Sequence, residues 1–167
     1  ALDSGDINFY EQAINAAVSF CIYLKRESQF KELANFARQA LGLIEDQKKL
    51  AYYRISYFLS EGLRMLGQYN ESIEAYNKAL EMNSSYAAAW KGKGRSLAVL
   101  SRYEESMACF EKAIEIDGND AEAWNDKANV FYDLEIYNES LKCFDRSISL
   151  YPKYIDAWNN KGKALYD

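Results

Sequence analysis

Side chains suited to binding a polar chain recur at a 34-residue interval in the second half of the sequence. The set is Lys91, Arg95, Asn125, Asn129, Tyr132, Asn159 and Lys163. An asparagine amide both donates and accepts hydrogen bonds, so it can hold a peptide backbone whatever the peptide's sequence. Lys and Arg can pair with a carboxylate, and a tyrosine ring can serve as an apolar anchor. These residue types indicate binding chemistry, with an ordinary solvated helix surface as the alternative.

The residues that most enzymes use for acid–base or nucleophilic catalysis are missing or placed in structural positions. The chain has no histidine, which removes the commonest general base and most zinc ligand sets. No phosphate-binding loop or dinucleotide fingerprint is present, and the GKG at 92–94 lies in the middle of a predicted helix. Paired carboxylates such as Glu104 and Glu105 lie at predicted helix starts, where they complement the helix dipole. We therefore predict no catalytic residue, no metal, no cofactor and no enzyme activity.

Charge and cysteine content limit the compartment and the class of partner. The net charge of −5 and pI of about 5.0 disfavour general affinity for nucleic acid or an anionic membrane. No apolar run approaches the roughly 18 residues of a membrane-spanning helix. The three cysteines are an odd number, and Cys109 and Cys143, at equivalent positions on stacked helices, are expected about 10 Å apart, too far for a disulfide. We predict a cytoplasmic protein that binds a protein or peptide.

A 34-residue period organises the chain from residue 53 onward. Trp90, Trp124 and Trp158 mark it, and a tyrosine recurs at the same interval at Tyr69, Tyr103 and Tyr137. Each period contains two amphipathic stripes at helical spacing, joined by a short turn such as LGQY, LSRY or LEIY. Small residues at Gly94, Ala128 and Gly162 in the first helices, and at Ser72, Ser106 and Ser140 in the second, are expected to let the paired backbones approach closely. Asn119 and Glu122 have the spacing of a capping box.

This pattern of Trp, small residue, Tyr, aromatic residue and Ala, with Pro152 after it, resembles the tetratricopeptide repeat. The resemblance implies an all-α fold, a right-handed solenoid of antiparallel helix pairs with about nine helices. It divides the chain into a divergent repeat or capping hairpin at 1–52, three repeats, and a lone terminal helix at 155–167, which is either a cap or the start of a further repeat. The three repeats are 53–86, 87–120 and 121–154.

The residues upstream of 53 follow the period less closely. Two apolar stripes predict a helical hairpin over 7–47, and about five extra residues in LIEDQKK separate it from the next repeat. The stripes are Ala17, Cys21 and Leu24 in the first helix and Phe30, Leu33, Ala37 and Ala40 in the second. The length of 167 residues suggests one domain.

The resemblance also implies that the first helices line a concave groove, with two rows of residues facing outward. One row is Tyr57, Lys91, Asn125 and Asn159, and the other is Glu61, Arg95, Asn129 and Lys163. A further row, Lys93, Lys127 and Lys161, is expected to lay its stems along the helices with the ammonium groups in solvent. The predicted function is a non-catalytic scaffold or adaptor that binds a peptide or partner segment in this groove.

Three alternatives stay open beside that prediction. The chain could be an accessory domain of a larger enzyme or regulatory protein, or a nucleic-acid-binding helical array, and its array ends could self-associate. Family members that bind the carboxylate-ended tails of chaperones use Lys, Asn and Arg spread over three repeats, and Lys91 and Arg95 resemble one part of that set. Asp126, Asp156 and Asn160 stand at supporting positions, so chaperone-tail binding is not predicted.

Overall fold

The computed structural model describes residues 4–43 and 49–166, and all regular structure within those ranges is α-helical. The nine helices there are α1 (Ser4–Arg26), α2 (Phe30–Leu43), α3 (Lys49–Met65), α4 (Tyr69–Met82), α5 (Ala87–Val99), α6 (Tyr103–Ile116), α7 (Ala121–Asp133), α8 (Tyr137–Leu150) and α9 (Ile155–Tyr166). The predicted all-α class and helix pairs are therefore found. Residues 44–48, in the LIEDQKK stretch, lie outside the described residues.

The described helices pack as two compact units rather than the one domain suggested by length. The first unit is Ala1–Ser84, with α1 to α4, and the second is Ser85–Asp167, with α5 to α9. In the first, the predicted hairpin stripe forms the core, where Cys21, Leu33 and Ala37 are fully buried. The first helix of that hairpin begins at Ser4, three residues before the predicted start at residue 7. Its description as a divergent repeat stays a prediction.

The same backbone turn joins the two helices of each pair. Four residues in these turns have a positive φ, namely Ser28, Gly67, Ser101 and Glu135. In each case the next amide donates to a carbonyl five residues earlier, at Leu24, Leu63, Leu97 and Phe131, over 2.9–3.0 Å. This is the Schellman arrangement, which satisfies the free carbonyls at a helix end. It allows the second helix to begin two residues after the left-handed position, so each pair folds back tightly.

A serine hydroxyl bonds the two helices of each repeat. Ser72 donates to the carbonyl of Ser60 (3.0 Å), Ser106 to that of Gly94 (2.8 Å) and Ser140 to that of Ala128 (2.9 Å). All three serines are fully buried, where a hydroxyl without a partner would be costly. The sequence interpretation assigned these positions small size alone. The structure shows that they also carry a directional bond.

The small residues of the first helices have different surroundings in different repeats. A Cβ at Gly94 would lie 2.8 Å from the Phe110 ring, so only glycine fits there, whereas Ala128 is accommodated fully buried in the next repeat. At Gly162 a Cβ would meet no heavy atom within 4 Å. No second helix follows α9 within the described residues, so the expectation that Gly162 lets a paired backbone approach stays a prediction.

We expect Gly94→Ala and Gly162→Ala to change stability in opposite directions. At Gly94 the added methyl must displace the buried Phe110 ring, an overpacking that typically costs about 1–3 kcal/mol. At Gly162 the space is open, and replacing a helical glycine by alanine stabilises by up to about 1 kcal/mol. Urea unfolding midpoints of the two variants measure the difference. Equal midpoints would contradict the tight contact at Gly94.

The start of α7 corrects the predicted capping box. Asp120, not Asn119, is the N-cap: its Oδ1 accepts hydrogen bonds from the amides of Glu122 (3.0 Å) and Ala123 (3.2 Å). An aspartate is a strong N-cap because it satisfies free amides and its charge complements the helix dipole. The Asn119 amide instead donates to the Asp117 carboxylate at 3.1 Å.

Candidate partner-binding groove

All seven predicted site residues lie in the second unit, on α5, α7 and α9. Lys91 and Arg95 are on α5, and α7 carries Asn125, Asn129 and Tyr132. The remaining two, on α9, are Asn159 and Lys163. The middle helix α7 packs against both α5 and α9, so the three helices lie side by side. Their shared surface, formed by these residues and their neighbours, is called the groove below.

The two predicted site cations on α5 are held by carboxylates from α7 and the turn before it. Lys91 Nζ lies 2.7 Å from Asp120 Oδ2 and 3.0 Å from Glu122 Oε2. Arg95 donates from Nε to Asp126 Oδ2 over 2.6 Å and from its terminal nitrogen to Glu122 Oε2 over 3.0 Å. These five residues, called the ion cluster, contain two positive and three negative groups. A ligand carboxylate at Lys91 or Arg95 would have to compete with them.

The pKa values of the ion cluster show how burial and pairing balance. Burial alone would lower the pKa of Lys91, but its bonds to Asp120 and Glu122 raise it above its ordinary value. Burial raises the pKa of Asp126 above its usual range even though Arg95 opposes the shift. Burial, followed by the negative charges of Asp126 and Glu122, raises the pKa of nearby Tyr154 to about 12. With three carboxylates against two cations, the cluster carries a net negative charge.

Asn125 occupies a buried position rather than the outward one predicted for it. Only 4% of the residue is exposed, and its Oδ1 accepts a hydrogen bond from Asn160 Nδ2 at 3.3 Å. Asn160 lies on α9, so this amide pair links α7 to α9. The prediction that Asn125 faces outward is wrong because α9 packs over it, whereas the next residue in its row, Asn159, is exposed.

A cavity of about 260 Å³ opens beside this amide pair. It is lined by Asn129, Tyr132, Asp133, Phe144, Asn160 and Lys163. Three of these, Asn129, Tyr132 and Lys163, are predicted site residues. Sequence reasoning missed Asp133, although it lies one helical turn beyond Asn129, and did not include Phe144 among the site residues. Amides, two aromatic rings and two opposite charges thus surround one space.

The two charged residues of the cavity are not joined to each other. Neither Asp133 nor Lys163 takes part in any of the ion pairs found within the described residues. Burial raises the pKa of Asp133 above its usual value, with no cation to offset it. Both groups are exposed enough for a ligand to reach them.

Glu61 is the first-unit member of the row that contains Arg95, Asn129 and Lys163, and its carboxylate is bound by neighbouring side chains of its own unit. Glu61, predicted to face outward, is 4% exposed and lies 2.7 Å from Lys25 Nζ and 3.3 Å from Arg64 Nε. It also accepts a hydrogen bond from the Tyr76 hydroxyl. Burial by itself would raise the pKa of Glu61, but Arg64, Lys25 and Tyr76 together lower it to about 2. The outward prediction for Glu61 is wrong, because Lys25 from α1 supplies a countercharge that the period does not reveal.

The row of Lys93, Lys127 and Lys161 differs from its prediction at two positions. Lys127 Nζ lies 3.0 Å from Glu111 Oε1, and Lys161 Nζ lies 2.6 Å from Asp145 Oδ1. The expectation of ammonium groups in solvent is therefore wrong for these two. Each pairs with the second helix of the preceding repeat, and each also lies 5.8 Å from an aromatic ring of its own helix.

No other reactive arrangement occurs in the described part of the chain. Residues 4–43 and 49–166 contain no group of three His, Cys, Asp or Glu side chains placed to hold a metal ion. Cys21 and Cys109 are buried free thiols, and burial raises the pKa of each to about 11. None of the helices in those ranges combines the length and apolar character needed to cross a bilayer.

We compared the sequence and the fold of this chain with those of known proteins. No curated protein matches the chain in sequence. Solved structures match its fold: a MamA RS-1 ArsTM double mutant is 16% identical with a TM-score of 0.75, covering 92% of this chain and 83% of that one. The Arabidopsis OM64 TPR domain is 16% identical with a TM-score of 0.70, covering 71% and 98%. The first TPR of Spaghetti (RPAP3), bound to the HSP90 peptide SRMEEVD, is 17% identical with a TM-score of 0.66, covering 74% and 94%.

The fold is thus that of an all-α helical-repeat protein. Two family models described as tetratricopeptide repeat match residues 62–121 and 121–154, together more than half of the chain. The chain belongs to the tetratricopeptide repeat family, and the predicted fold class is confirmed. Members of this family typically act as non-catalytic protein-interaction modules.

Proposed function

We propose that the second unit binds an extended peptide or partner segment in the groove, at the cavity beside α7 and α9. The observation that carries this proposal is the cavity itself, about 260 Å³ in volume, in which Asn129, Tyr132 and Lys163 meet. That size suits a side chain with its adjoining backbone. The partner therefore crosses the helices as a chain segment and does not insert a folded domain.

The residues that line the cavity offer two kinds of contact, hydrogen bonds and apolar packing. Asn129 and Asn160 present amides that can bond to a peptide backbone in either direction. Tyr132, which packs on the buried Phe144, supplies aromatic surface for one apolar side chain. Each hydrogen bond nets only about 0.5–1.5 kcal/mol, and a flexible peptide loses entropy when it is ordered. The expected affinity is therefore modest, on the order of micromolar.

The comparisons support binding of a peptide, but the ion cluster argues against one kind. The first TPR of Spaghetti (RPAP3) has this fold and holds an HSP90 peptide. In the present chain Lys91 and Arg95, the cations that resemble part of a carboxylate-binding set, are paired internally. The proposal therefore concerns the cavity, where side chains remain accessible, and not the ion cluster.

The proposal predicts that the double change Asn129→Ala with Lys163→Ala weakens binding at least about tenfold, or roughly 1.4 kcal/mol. Heptapeptides selected from a random display library on the purified chain provide the ligands. Titration of these peptides against the parent and the variant gives the affinities. Both side chains line the cavity and neither forms part of the buried core, so the fold should be retained, as circular dichroism can check.

A matched control removes the same residue types from α8, the second helix of the repeat 121–154. Asn138 and Lys142 are exposed on α8, and Asn138→Ala with Lys142→Ala should leave the affinity unchanged. If the outer pair abolishes binding while the cavity pair does not, the groove is the wrong surface. A library that yields no peptide sensitive to the cavity pair contradicts the proposal as well.

A further inference from the structure

The groove carries more negative than positive charge, and its cations are mostly occupied. Its cations are Lys91, Arg95 and Lys163. Its carboxylates are the three of the ion cluster, Asp133 in the cavity, and Asp156, whose charge acts on Tyr154 beside the cluster. Two of the three cations belong to the ion cluster, where the chain's own carboxylates contact them at 2.6–3.0 Å. In contrast, Asp133 and Asp156 take part in none of the ion pairs between described residues. The charges that remain accessible are mainly negative.

We propose that the groove selects partner segments with basic side chains and excludes acidic or carboxylate-ended ones, because the chain's own carboxylates already occupy Lys91 and Arg95. This inference rests on the proposed function, since it specifies the charge of the segment bound there. Complementary charge favours encounter and binding, and like charges in close contact disfavour wrong partners. The partner class is therefore a Lys- or Arg-containing segment with an apolar side chain for the cavity.

The occupation of Lys91 and Arg95 is a property of their own chain. Carboxylates tethered to the same fold act at an effective concentration on the order of millimolar or higher, which a modestly binding free peptide does not match. Asp120 is fixed by its capping bonds, and Asp126 is held against Arg95 at 2.6 Å. An incoming carboxylate would meet three negative groups before either cation became available.

The arrangement does not recur one repeat further along. The residues at the positions equivalent to Asp120, Glu122 and Asp126 are Tyr154, Asp156 and Asn160, and those equivalent to Lys91 and Arg95 are Asn125 and Asn129. Ion pairs join α5 to α7, whereas an amide pair joins α7 to α9. The cavity opens beside that amide pair. The cavity with its amide side chains and the negatively charged ion cluster are thus neighbours along α7. Burial raises the pKa of Tyr154, and the negative charges of Asp126 and Glu122 raise it further.

The test uses two probes on the whole chain. In the first, a random heptapeptide display library is selected on the parent protein at low salt. Peptides whose binding is weakened by Asn129→Ala, which leaves the cavity's own cation Lys163 in place, should be enriched in Lys and Arg and depleted in Asp and Glu. In the second, the acidic peptide SRMEEVD is titrated, and no saturable binding is expected below about 1 mM.

A charge-neutralising variant should reverse the exclusion. Asp120→Asn with Glu122→Gln and Asp126→Asn frees Lys91 and Arg95, and Asn keeps the N-cap of α7. We expect this variant to bind SRMEEVD at least about tenfold more tightly than the parent does. The control, Glu104→Gln with Glu115→Gln and Glu135→Gln, changes the net charge equally at exposed positions and should show no gain.

The outcomes separate the inference from the proposed function. Acidic heptapeptides whose binding is weakened by Asn129→Ala would overturn the charge inference and leave the groove in place. Equal binding of SRMEEVD by the parent and a folded neutralised variant would also overturn it, since the internal carboxylates would not be the barrier. If binding is insensitive to Asn129 and Lys163, the proposed function fails instead. The library arm uses the parent chain and does not depend on the stability of the neutralised variant.

Discussion

Replacing Glu61 with alanine is expected to lower the free energy of unfolding of the first unit by about 3 kcal/mol, as for removal of one partner from a buried ion pair. The carboxylate is buried and bonded to Lys25, Arg64 and Tyr76. Its loss removes the acceptor shared by the Tyr76 hydroxyl, Arg64 and Lys25, of which Lys25 keeps a bond to the Tyr57 hydroxyl at 3.2 Å. The estimate takes the low end of the usual range because Lys25 is partly exposed. Urea unfolding followed by circular dichroism measures the change.

Tyr76→Phe is the matched control for Glu61→Ala. Phe110 and Phe144 occupy the equivalent positions in the next two repeats and are buried, so the ring should pack equally well. Only one hydrogen bond is lost, which usually costs about 1 kcal/mol. A Glu61→Ala variant as stable as Tyr76→Phe would show that the ion pairs add nothing beyond that hydroxyl bond.

The pH dependence gives a second measurement of the same network. The pKa of Glu61 is about 2 in the folded chain and 4.5 as its ordinary value, so the unfolded state binds this proton more readily. The stabilisation from Glu61 is then fully present above about pH 4.5 and is lost as the pH falls towards 2. The parent should lose stability over that interval more steeply than Glu61→Gln. Parallel pH profiles would contradict a lowered pKa at this site.

Deleting residues 155–167 is expected to destabilise the second unit by several kcal/mol and to promote association. Ala157 and Ala164 of α9 are buried, and Ala164 belongs to the same core cluster as Ala128 and Phe144. Removing α9 exposes aromatic surface on α7 and α8, and each large apolar side chain returned to water costs about 1.5–3 kcal/mol. Thermal unfolding and light scattering measure the two effects.

A single exposed change on α9 serves as the control for this deletion. Leu165 is 65% exposed, so Leu165→Ala should leave the melting temperature nearly unchanged. The comparison separates the buried side of α9 from its exposed side. A truncated chain that stays monomeric and melts with the parent would show that α9 is dispensable for the core.

The period in the sequence predicts the helices and their buried positions well because packing repeats with the residues. Phe110, Phe144 and Ala128 are fully buried where the stripe requires it, and the short turns are where LGQY, LSRY and LEIY indicate. The polar positions are predicted less well. A period shows that a residue occupies a row, but burial of that residue also depends on what the neighbouring helix carries. Glu61 is the clearest case, since Lys25 comes from the hairpin that follows the period least.

The candidate site was predictable in part for the same reason. Asn129, Tyr132 and Lys163 line the cavity, and their residue types point to binding. Asn125, one helical turn before Asn129 on α7, is buried and pairs with the amide of Asn160. The pairing of Lys91 and Arg95 likewise depends on carboxylates that the sequence showed only as poor supporting positions. Contacts between helices decide which polar residues stay accessible. The spacing of residues in the sequence does not reveal those contacts.

The serine bonds have a consequence for how the chain reaches its fold. Each bond spans only twelve residues, from the second helix back to the first, so closing it costs little chain entropy. Proteins dominated by such local contacts have low contact order and fold rapidly. In a repeat array, pairs of this kind can nucleate independently and then grow by adding neighbours. One helical hairpin is therefore the natural step by which the chain assembles, and by which it opens.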